Sequence, residues 1–357
     1  MQTHLPRRTV VLLGIGHTNA HILRMWKMHR PPDAGLVCVS NFSVATYSGM
    51  LPGVLAGQYP PERMEIDLVR LSAAAGGRLV VGEVSGIDRE NRELQFEGRP
   101  PIPFDLLSIG IGSVPTLPAD GSDETLLPIK PMQTLLARLE NRLRAAAAAN
   151  SAGPLRIAVV GGGAGGVEVT LCLPAAVRRT LGEHPLELRL FDSGEELLRG
   201  MSAGTQRRVR QELERRGVPV ELGARILRVE QGELHLDGGR RFAADIVLWA
   251  ASAAPPPLLA RLDFEKNERG FLLTRPTLQC VSDPHIFAVG DTGTIAGHQL
   301  PKAGVFAVRQ GPVLWENIQH SLAGEPLREY EPQRGFLKLL NLGDRRAIGE
   351  RFGISLS

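Results

Sequence analysis

The sequence predicts an α/β protein with two nested Rossmann-like domains, followed by a small C-terminal segment. Two glycine-rich turns support this prediction, because residues 14–19 and 161–166 each join an apolar, β-branched run to a helical pattern. A third motif, Gly290-Asp291, follows another apolar run and indicates a return to the first domain. Glycines in such turns let the pyrophosphate of a dinucleotide approach the backbone at a helix N-terminus. The pattern therefore predicts two dinucleotide-binding domains, one inserted within the other.

The first glycine-rich turn follows residues 9–13, which have the composition of a buried parallel strand. Its third glycine position is occupied by Asn19, and the next predicted strand ends in Ser40, where a ribose-binding carboxylate is expected. The sequence leaves open how a ribose is bound here, and the alternative is that the glycines serve only a tight turn. The cofactor-binding candidates are Gly14, Gly16, His17, Asn19 and Ser40.

The second turn has glycine at all three positions, Gly161, Gly163 and Gly166, between the apolar run 155–160 and a helical pattern. The next predicted strand ends in Asp192. A carboxylate at this place accepts a hydrogen bond from a ribose 2′-hydroxyl and repels a 2′-phosphate, so Asp192 favours NADH over NADPH. The alternative is an aspartate that merely ends a solvated strand.

An internal repeat indicates that the two halves are copies of one module, and a hinge at residues 126–131 and the return of the chain at Phe271 give the predicted borders. Residues 105–113 and 245–250 share an acidic start, a buried strand and a small-residue turn. Gly110, in the first of these turns, is a further cofactor-binding candidate. The prediction is a first dinucleotide-binding domain over residues 1–125 and 271–325, a second one inserted over residues 126–270, and a C-terminal segment over residues 326–357.

Four further segments have a predicted local structure. Residues 46–57 are too rich in glycine for a regular element and too apolar for a solvated loop, so they are expected to pack against something flat. A helix is predicted over 132–149, with a break at 150–154. Residues 300–304 are predicted to open an amphipathic helix that runs to about residue 320.

Composition and the chain start exclude several classes of protein. The 357 residues are 43% apolar and 22% charged, an ordinary globular composition, and the net charge of +3 gives no reason to expect a nucleic-acid partner. Residues 1–8 leave no room for a cleavable signal before the first strand, so a cytoplasmic location is expected. Residues 158–177 have the length of a membrane span, but their glycines and Pro174 favour a strand, a turn and a helix.

The cysteines and histidines show no redox or metal pattern. Cys38, Cys172 and Cys280 form no Cys-x-x-Cys pair, so each is interpreted as a small buried apolar residue rather than part of a redox disulfide. No cluster of His, Cys and carboxylate residues has the spacing of metal ligands. His17 and His21 are assigned to the first helix rather than to a zinc site.

The order of these motifs resembles the two-dinucleotide-binding-domain flavoproteins of the pyridine nucleotide-disulfide oxidoreductase superfamily, which have a glutathione-reductase-like fold. The closest resemblance is to the branch of type II NADH dehydrogenases and sulfide:quinone oxidoreductases. Residues 47–53 and 342–347 are similar to the NADH dehydrogenase-like proteins found fused to selenophosphate synthetase. The resemblance implies FAD and NADH as cofactors, with FAD at the first turn and at Gly290 and Asp291.

The resemblance also assigns catalytic roles to two charged residues. Lys302 and Ala303 would open a helix aimed at the pyrimidine edge of the flavin, where a lysine and a helix dipole stabilise negative charge. Glu168 would orient the nicotinamide or relay a proton to the acceptor, with its pKa raised by burial. The alternatives are a solvated lysine and a carboxylate placed at a helix N-terminus by the dipole alone.

Three features depart from the family pattern. The Gln-rich quinone-site segment is matched only loosely by residues 305–310, and the paired cysteines of sulfide:quinone oxidoreductases are missing at corresponding places. The chain stops at residues 352–357 without an amphipathic tail. This favours either a truncated tail or weak membrane attachment.

The function expected from these observations is hydride transfer from NADH to FAD, with electrons passed to a quinone-like acceptor and without a redox-active disulfide. One alternative is a soluble NADH-dependent reductase of a selenium compound or an electron-transfer protein. Another is a non-catalytic flavin-binding module that serves a selenophosphate synthetase partner. A homodimer and peripheral contact with the inner face of the membrane are also left open.

Overall fold

The computed structural model describes residues 6–118, 123–150 and 153–356. Within these ranges the α-helices, numbered in chain order, are α1 His17–Met28, α2 Leu51–Leu55, α3 Leu68–Ala74, α4 Met132–Ala149, α5 Ala164–Leu181, α6 Ala203–Arg215, α7 Pro257–Arg261 and α8 Gly304–Ala323. None of the helices in these ranges has both the length and the apolar character that a membrane span requires. The interpretation of residues 1–8 and the predicted break at 150–154 fall partly on residues 1–5, 151 and 152, outside the described residues.

The strands of the same ranges are also numbered in chain order. They are β1 Arg8–Leu13, β2 Ala34–Ser40, β3 Val44–Thr46, β4 Glu65–Asp67, β5 Arg78–Val81, β6 Val84–Asp88, β7 Glu93–Phe96, β8 Ile102–Pro103, β9 Leu106–Ile109, β10 Val114–Pro115, β11 Leu126–Pro128, β12 Leu155–Val160, β13 Leu186–Phe191, β14 Val220–Glu221, β15 Ile226–Glu230, β16 Glu233–Leu236, β17 Arg241–Ala243, β18 Ile246–Trp249, β19 Ala253–Ala254, β20 Leu272–Thr274, β21 Gln279–Cys280, β22 Asp283–Ala288, β23 Gly293–Ile295, β24 Lys338–Asn341, β25 Ala347–Arg351 and β26 Ile354–Leu356.

The chain divides into two compact units, each made of three segments. Unit 1 comprises Met1–Ala45, Glu65–Val114 and Ala253–Arg334, and unit 2 comprises Thr46–Met64, Pro115–Ser252 and Gly335–Ser357. These borders differ from the predicted ones at 125 and 270. The segment 46–64 and the C-terminal residues both belong to unit 2.

Unit 1 is built on an eight-stranded sheet in the order β23-β20-β21-β22-β9-β1-β2-β5. Strands β22, β9, β1, β2 and β5 are parallel neighbours, so their carboxyl ends lie along one edge of the sheet. Helices α1, α3 and α8 cover one face, where Trp26 of α1 makes an edge-to-face contact with Trp315 of α8. The antiparallel strands β6 to β8 and helix α7 cover the other face.

Unit 2 is built on a five-stranded parallel sheet in the order β11-β18-β12-β13-β14. Helices α2, α4, α5 and α6 pack on one face, and the antiparallel strands β15 to β17 pack on the other. A C-terminal meander, β24 to β26, adds Leu340, Leu342 and Ile348 to the core on the helix side. The predicted α/β class with two Rossmann-like sheets is therefore confirmed.

The glycine-rich segment 46–57 is more regular than the sequence analysis predicts. Leu51, Val54 and Leu55 are buried side chains of helix α2, which packs on α5 within the core of unit 2. Pro52 suits the first turn of this helix because its fixed φ is already helical. Burial of the apolar side chains outweighs the poor helix propensity of Gly53, so the prediction of an irregular segment was wrong for residues 51–55.

Candidate functional site

The carboxyl edge of the unit 1 sheet brings the first set of predicted site residues together. Gly14 follows β1, Gly110 follows β9, Gly290 follows β22, and Ser40 ends β2. Gly14 has a φ of +77°, and a Cβ at this position would lie 2.7 Å from the Gly110 carbonyl oxygen. Only glycine therefore fits the first turn, as its predicted role in a close backbone approach requires.

Asn19 replaces the third glycine of the first turn without disturbing it. Its side chain is fully buried, donates from Nδ2 to the Gly14 carbonyl at 2.7 Å and accepts from the Ser108 hydroxyl at 2.7 Å. The amide fits because Gly110 has no side chain, since a Cβ there would lie 2.7 Å from Nδ2. Asn19 thus joins the turn to strand β9, and these hydrogen bonds direct its amide into the protein.

The Gly-Asp turn at 290–292 is tied to its neighbours by side chains. The Gly290 N–H donates to Gln310 Oε1 at 2.6 Å, and the Gly112 N–H donates to the buried Thr292 hydroxyl at 2.9 Å. The Ser113 hydroxyl donates to Asp291 Oδ2 at 2.7 Å. Gln310 therefore makes a hydrogen bond to the Gly-Asp turn within unit 1. The sequence analysis interprets its segment as a loose match to a quinone site.

Lys302 lies in a partly enclosed position next to the start of α8. Its Nζ donates to the Gly293 carbonyl at 2.7 Å and to the Thr294 hydroxyl at 2.8 Å, and it lies 4.0 Å from the centre of the Phe271 ring. Burial lowers the pKa of Lys302 to about 8, against the opposing effect of the Asp291 carboxylate. Ala303 is the N-cap of α8. The lysine is thus held in place and still able to be charged at neutral pH.

His17 and Ser40 complete the candidates of unit 1. His17 is the first residue of α1, and burial lowers its pKa while the Asp291 carboxylate opposes this. His17 and Lys302 therefore both lie within the electrostatic reach of Asp291. The Ser40 hydroxyl accepts a hydrogen bond from the Phe42 N–H at 3.3 Å, and the strand ends here without a carboxylate.

The carboxyl edge of the unit 2 sheet carries the second turn. A Cβ at Gly161 would lie 2.6 Å from the Ala250 carbonyl oxygen, and one at Gly166 would lie 1.8 Å from the Gly161 carbonyl oxygen. Both positions therefore require glycine. Gly163 is the N-cap of α5, as Gly16 is of α1; neither has a side-chain cap, and neither helix has an acidic residue in its first turn.

Asp192 follows strand β13, directly beside this turn. Its Oδ2 accepts the Gly162 N–H at 2.5 Å, and its Oδ1 accepts the Gly194 N–H at 2.7 Å. The carboxylate is therefore held in a fixed orientation by two backbone groups. Each of its oxygens has a further lone pair with which it can accept a ligand hydroxyl.

Glu168 lies on α5, just beyond the second turn, and is largely buried. Its Oε1 accepts the Asn341 N–H from strand β24 at 2.8 Å, which is its hydrogen bond within the described part of the chain. Burial raises its pKa to about 7, with the hydrogen bond acting in the opposite direction. A buried carboxyl that titrates near neutral pH is suited to taking up and releasing a proton.

The predicted site residues thus form two groups, one at the sheet edge of each unit. Sequence reasoning missed Ser113 and Asn341, which contact Asp291 and Glu168. Ser113 lies in a small-residue turn that the internal repeat points to, so a signal for it existed. Asn341 is 173 positions away from Glu168, and no local pattern connects the two.

Comparisons with known proteins identify a matching family and several similar proteins. Residues 36–311 match the family described as pyridine nucleotide-disulphide oxidoreductase. The demethylphylloquinone reductase NdbB of Synechocystis sp. is 26% identical over 345 residues, which are 93% of this chain and 82% of that protein. The NADH dehydrogenase-like protein YutJ of Bacillus subtilis is 25% identical over 356 residues, 96% of this chain and 92% of that protein.

A solved structure extends the agreement in fold. NDH2 from Plasmodium falciparum in complex with NADH has a TM-score of 0.82 at 14% identity, covering 98% of this chain and 91% of that one. At this identity the likeness shows the fold alone. It is the fold that the two glycine-rich turns predict.

Proposed function

The chain belongs to the pyridine nucleotide-disulphide oxidoreductase family, and from this premise we propose that it is an FAD-dependent NADH oxidoreductase whose electrons pass to a quinone-like acceptor. Bound FAD and NADH would supply the hydride and electron transfer. The protein's own residues hold the two dinucleotides and handle a proton on the acceptor side. Cys38, Cys172 and Cys280 are buried and free, and the proposal gives them no redox role.

The observation that carries the proposal is the pair of matching glycine turns. Helices α1 and α5 each begin at a glycine N-cap with no side-chain cap, so their first N–H groups are suited to a pyrophosphate. A side chain at Gly14 or Gly161 would collide with the neighbouring turn. These contacts support FAD in unit 1 and NADH in unit 2.

In unit 1, three further residues fit a bound FAD. Asp291, oriented by Ser113, would accept hydrogen bonds from the ribityl hydroxyls. Lys302 and the N-terminus of α8 would stabilise the negative charge of a reduced flavin. This role agrees with the burial of Lys302, because a charged contact is stronger where water is excluded.

In unit 2, Asp192 supports NADH as the preferred reductant. Its carboxylate is fixed by the Gly162 and Gly194 N–H groups, so a ribose 2′-hydroxyl can donate to it without reorganisation. A 2′-phosphate would instead meet a negative charge.

Glu168 is proposed to exchange a proton on the acceptor side. Its pKa of about 7 allows the carboxyl both to release and to take up a proton at neutral pH.

The quinone-like acceptor is proposed from the relatives as well as from Glu168. The name of the relative NdbB, demethylphylloquinone reductase, describes NdbB, and we take it as support for a quinone-like acceptor of this chain. The reading as a non-catalytic module depended on Asn19 and Ser40, and the internal hydrogen bonds of Asn19 weaken it. The proposal includes no selenophosphate synthetase partner, homodimer or membrane contact.

Stopped-flow absorbance on FAD-loaded protein tests the proposal in two separate half-reactions. NADH should bleach the flavin faster than NADPH, and a soluble quinone should restore the colour. Asp192→Ser should narrow the preference for NADH, whereas the exposed Asp237→Ser in the same unit should leave it unchanged. A protein that prefers NADPH, or whose reduced flavin does not react with the quinone, would contradict the assignment.

A further inference from the structure

The end of strand β24 reaches Glu168 from a distant part of the chain. Asn341, the last residue of β24, directs its backbone N–H at Glu168 Oε1 over 2.8 Å. No salt bridge to Glu168 occurs within residues 6–118, 123–150 and 153–356, so this N–H is the contact that orients the carboxyl. The position of the Asn341 backbone therefore decides where the carboxyl points.

Asn341 is itself fixed from several directions. Its side-chain amide exchanges two hydrogen bonds with the Gln58 amide, donating at 2.7 Å and accepting at 3.2 Å. The same oxygen accepts the Gly343 N–H at 2.8 Å, and the Asn341 carbonyl accepts the Cys172 thiol at 3.8 Å. Three separate segments of unit 2 thus meet at one asparagine.

The hairpin between β24 and β25 is anchored to the helices beneath it. Gly343 has a φ of +82°, and a Cβ there would lie 2.6 Å from the Leu171 carbonyl oxygen, so the hairpin lies directly on α5. Arg216, the C-cap residue that follows α6, donates to the Leu171 carbonyl at 3.1 Å and to Asp344 at 3.0 Å. Arg346 donates to Glu212 at 2.9 Å. A shift of the hairpin would therefore break these hydrogen bonds.

We propose that Asn341 is the positioning residue of Glu168. Held by Gln58 and by the hairpin, its N–H occupies one carboxyl oxygen and leaves the other oxygen to exchange a proton. The inference rests on the proposed acceptor-side role of Glu168. It adds that the side-chain hydrogen bonds of Asn341, on the C-terminal hairpin, set the orientation of the Glu168 carboxyl.

Other charged or titratable groups lie near this cluster. Cys172 is one helical turn further along α5, Asp344 lies in the hairpin, and Arg216 directly follows α6. Gln58, which contacts the Asn341 side chain, is neutral. None of the charged groups contacts the Asn341 side chain. Truncation of Asn341 therefore changes the hydrogen bond to Glu168 without removing a charge.

The test compares the pH at which Glu168 ionises in matched variants of the FAD-loaded protein. The infrared carbonyl band of protonated Glu168 is assigned by its loss in Glu168→Gln. Asn341→Ala should move the midpoint upward by roughly 0.5 to 1 pH unit, because a hydrogen bond to the ionised form is weakened. Gln58→Ala should give a smaller shift in the same direction, and the exposed Arg345→Ala on the same hairpin should give none.

The pH midpoint of flavin reoxidation by a soluble quinone should move together with the infrared midpoint. If the infrared midpoint moves and the reoxidation profile does not, Asn341 positions Glu168 but the proposed role of Glu168 at the acceptor is wrong. If Asn341→Ala does not fold, Gln58→Ala decides the question alone. An infrared midpoint that stays at the wild-type pH in every folded variant overturns the inference.

Discussion

Two glutamates of unit 2 show how the neighbours of a carboxyl decide its charge. Hydrogen bonds from Arg215 and Arg216 hold the pKa of Glu212 at about 2 despite its burial. Among the residues that the structure describes, no arginine or lysine is hydrogen-bonded to Glu168, and burial raises its pKa to about 7. Glu212 is therefore a fixed charge that anchors the hairpin, whereas Glu168 can gain or lose a proton at neutral pH.

This difference predicts a selective defect for Glu168→Gln. Glutamine keeps the shape of the side chain but carries no exchangeable acid, so reoxidation by a quinone should be impaired more than anaerobic reduction by NADH. The wild-type reoxidation rate should change with pH near 7, and that of the variant should not. Stopped-flow measurements of each half-reaction check this, with the exposed Glu214→Gln as a control. Equal, unchanged rates in both half-reactions would reduce Glu168 to a helix-terminus charge.

The raised pKa of Glu168 also predicts a pH-dependent effect on stability. The folded-state pKa of about 7 exceeds the usual value of 4.5, so ionisation costs folding free energy progressively as pH rises through this window. Glu168→Gln removes the cost and should gain stability relative to wild type between about pH 5 and pH 8, by at most about 3 kcal/mol. Urea unfolding of the wild type and the variant at about pH 5 and pH 8 measures the difference in unfolding free energy. A difference of the same size at both pH values would contradict the raised pKa of Glu168.

Lys302 gives the corresponding prediction for unit 1. Lys302→Met should lower the flavin reduction potential and slow reduction by NADH while FAD stays bound, with a loss of roughly 1 to 3 kcal/mol. Because burial lowers its pKa to about 8, the wild-type lysine loses its charge above that pH, and the rate difference should shrink there. The exposed Lys27→Met is the control. Rates that differ equally at all pH values would exclude a role for the charge.

At the scale of elements, the two glycine-rich turns reach similar geometry with different residues. In the turn before α5, Gly166 lies so close to the Gly161 carbonyl that a Cβ has no space. In the turn before α1, Asn19 occupies the corresponding position, and the missing side chain of Gly110 makes room for its amide. Helix α5 can therefore pack tightly because Gly166 lies within the helix itself. Helix α1 can do so because Gly110 lies in the neighbouring turn after β9.

This contrast predicts two different kinds of damage. Gly166→Ala should distort the second turn and abolish reduction by NADH while FAD remains bound in unit 1. Asn19→Ala should leave buried hydrogen-bonding groups unsatisfied, lower stability by about 1 to 3 kcal/mol and weaken FAD retention. Flavin content after gel filtration and the thermal midpoint of each variant distinguish the two. Loss of FAD from Gly166→Ala with normal NADH binding would reverse the assignment of the turns.

The same elements show what could be predicted from the sequence. Periodicity and turn chemistry located α4 at 132–149 and the strands around both glycine turns, because these signals are local. They missed helix α2 in the segment 46–57, which depends on burial against α5. They also missed Asn341, whose contact with Glu168 is created only by the packing of the meander on unit 2.

At the scale of the whole molecule, the chain combines two α/β units whose segments alternate along the sequence. In each unit the sheet edge carries a glycine-rich turn that opens a helix and a carboxylate, which is Asp291 in the first unit and Asp192 in the second. The proposal of one dinucleotide in each unit follows from this repetition. The proposal gives the three buried cysteines no redox role. It therefore predicts how many NADH molecules reduce the protein per bound FAD.

Anaerobic titration of the FAD-loaded protein with NADH tests this central claim most directly. If the flavin is the sole redox centre, one NADH per bound FAD should bleach the flavin absorbance completely, because a flavin accepts one electron pair. Gradual bleaching that requires two NADH per FAD would reveal a second two-electron acceptor, such as a disulfide. An absorbance that NADH does not change would contradict the assignment of the chain as an NADH oxidoreductase.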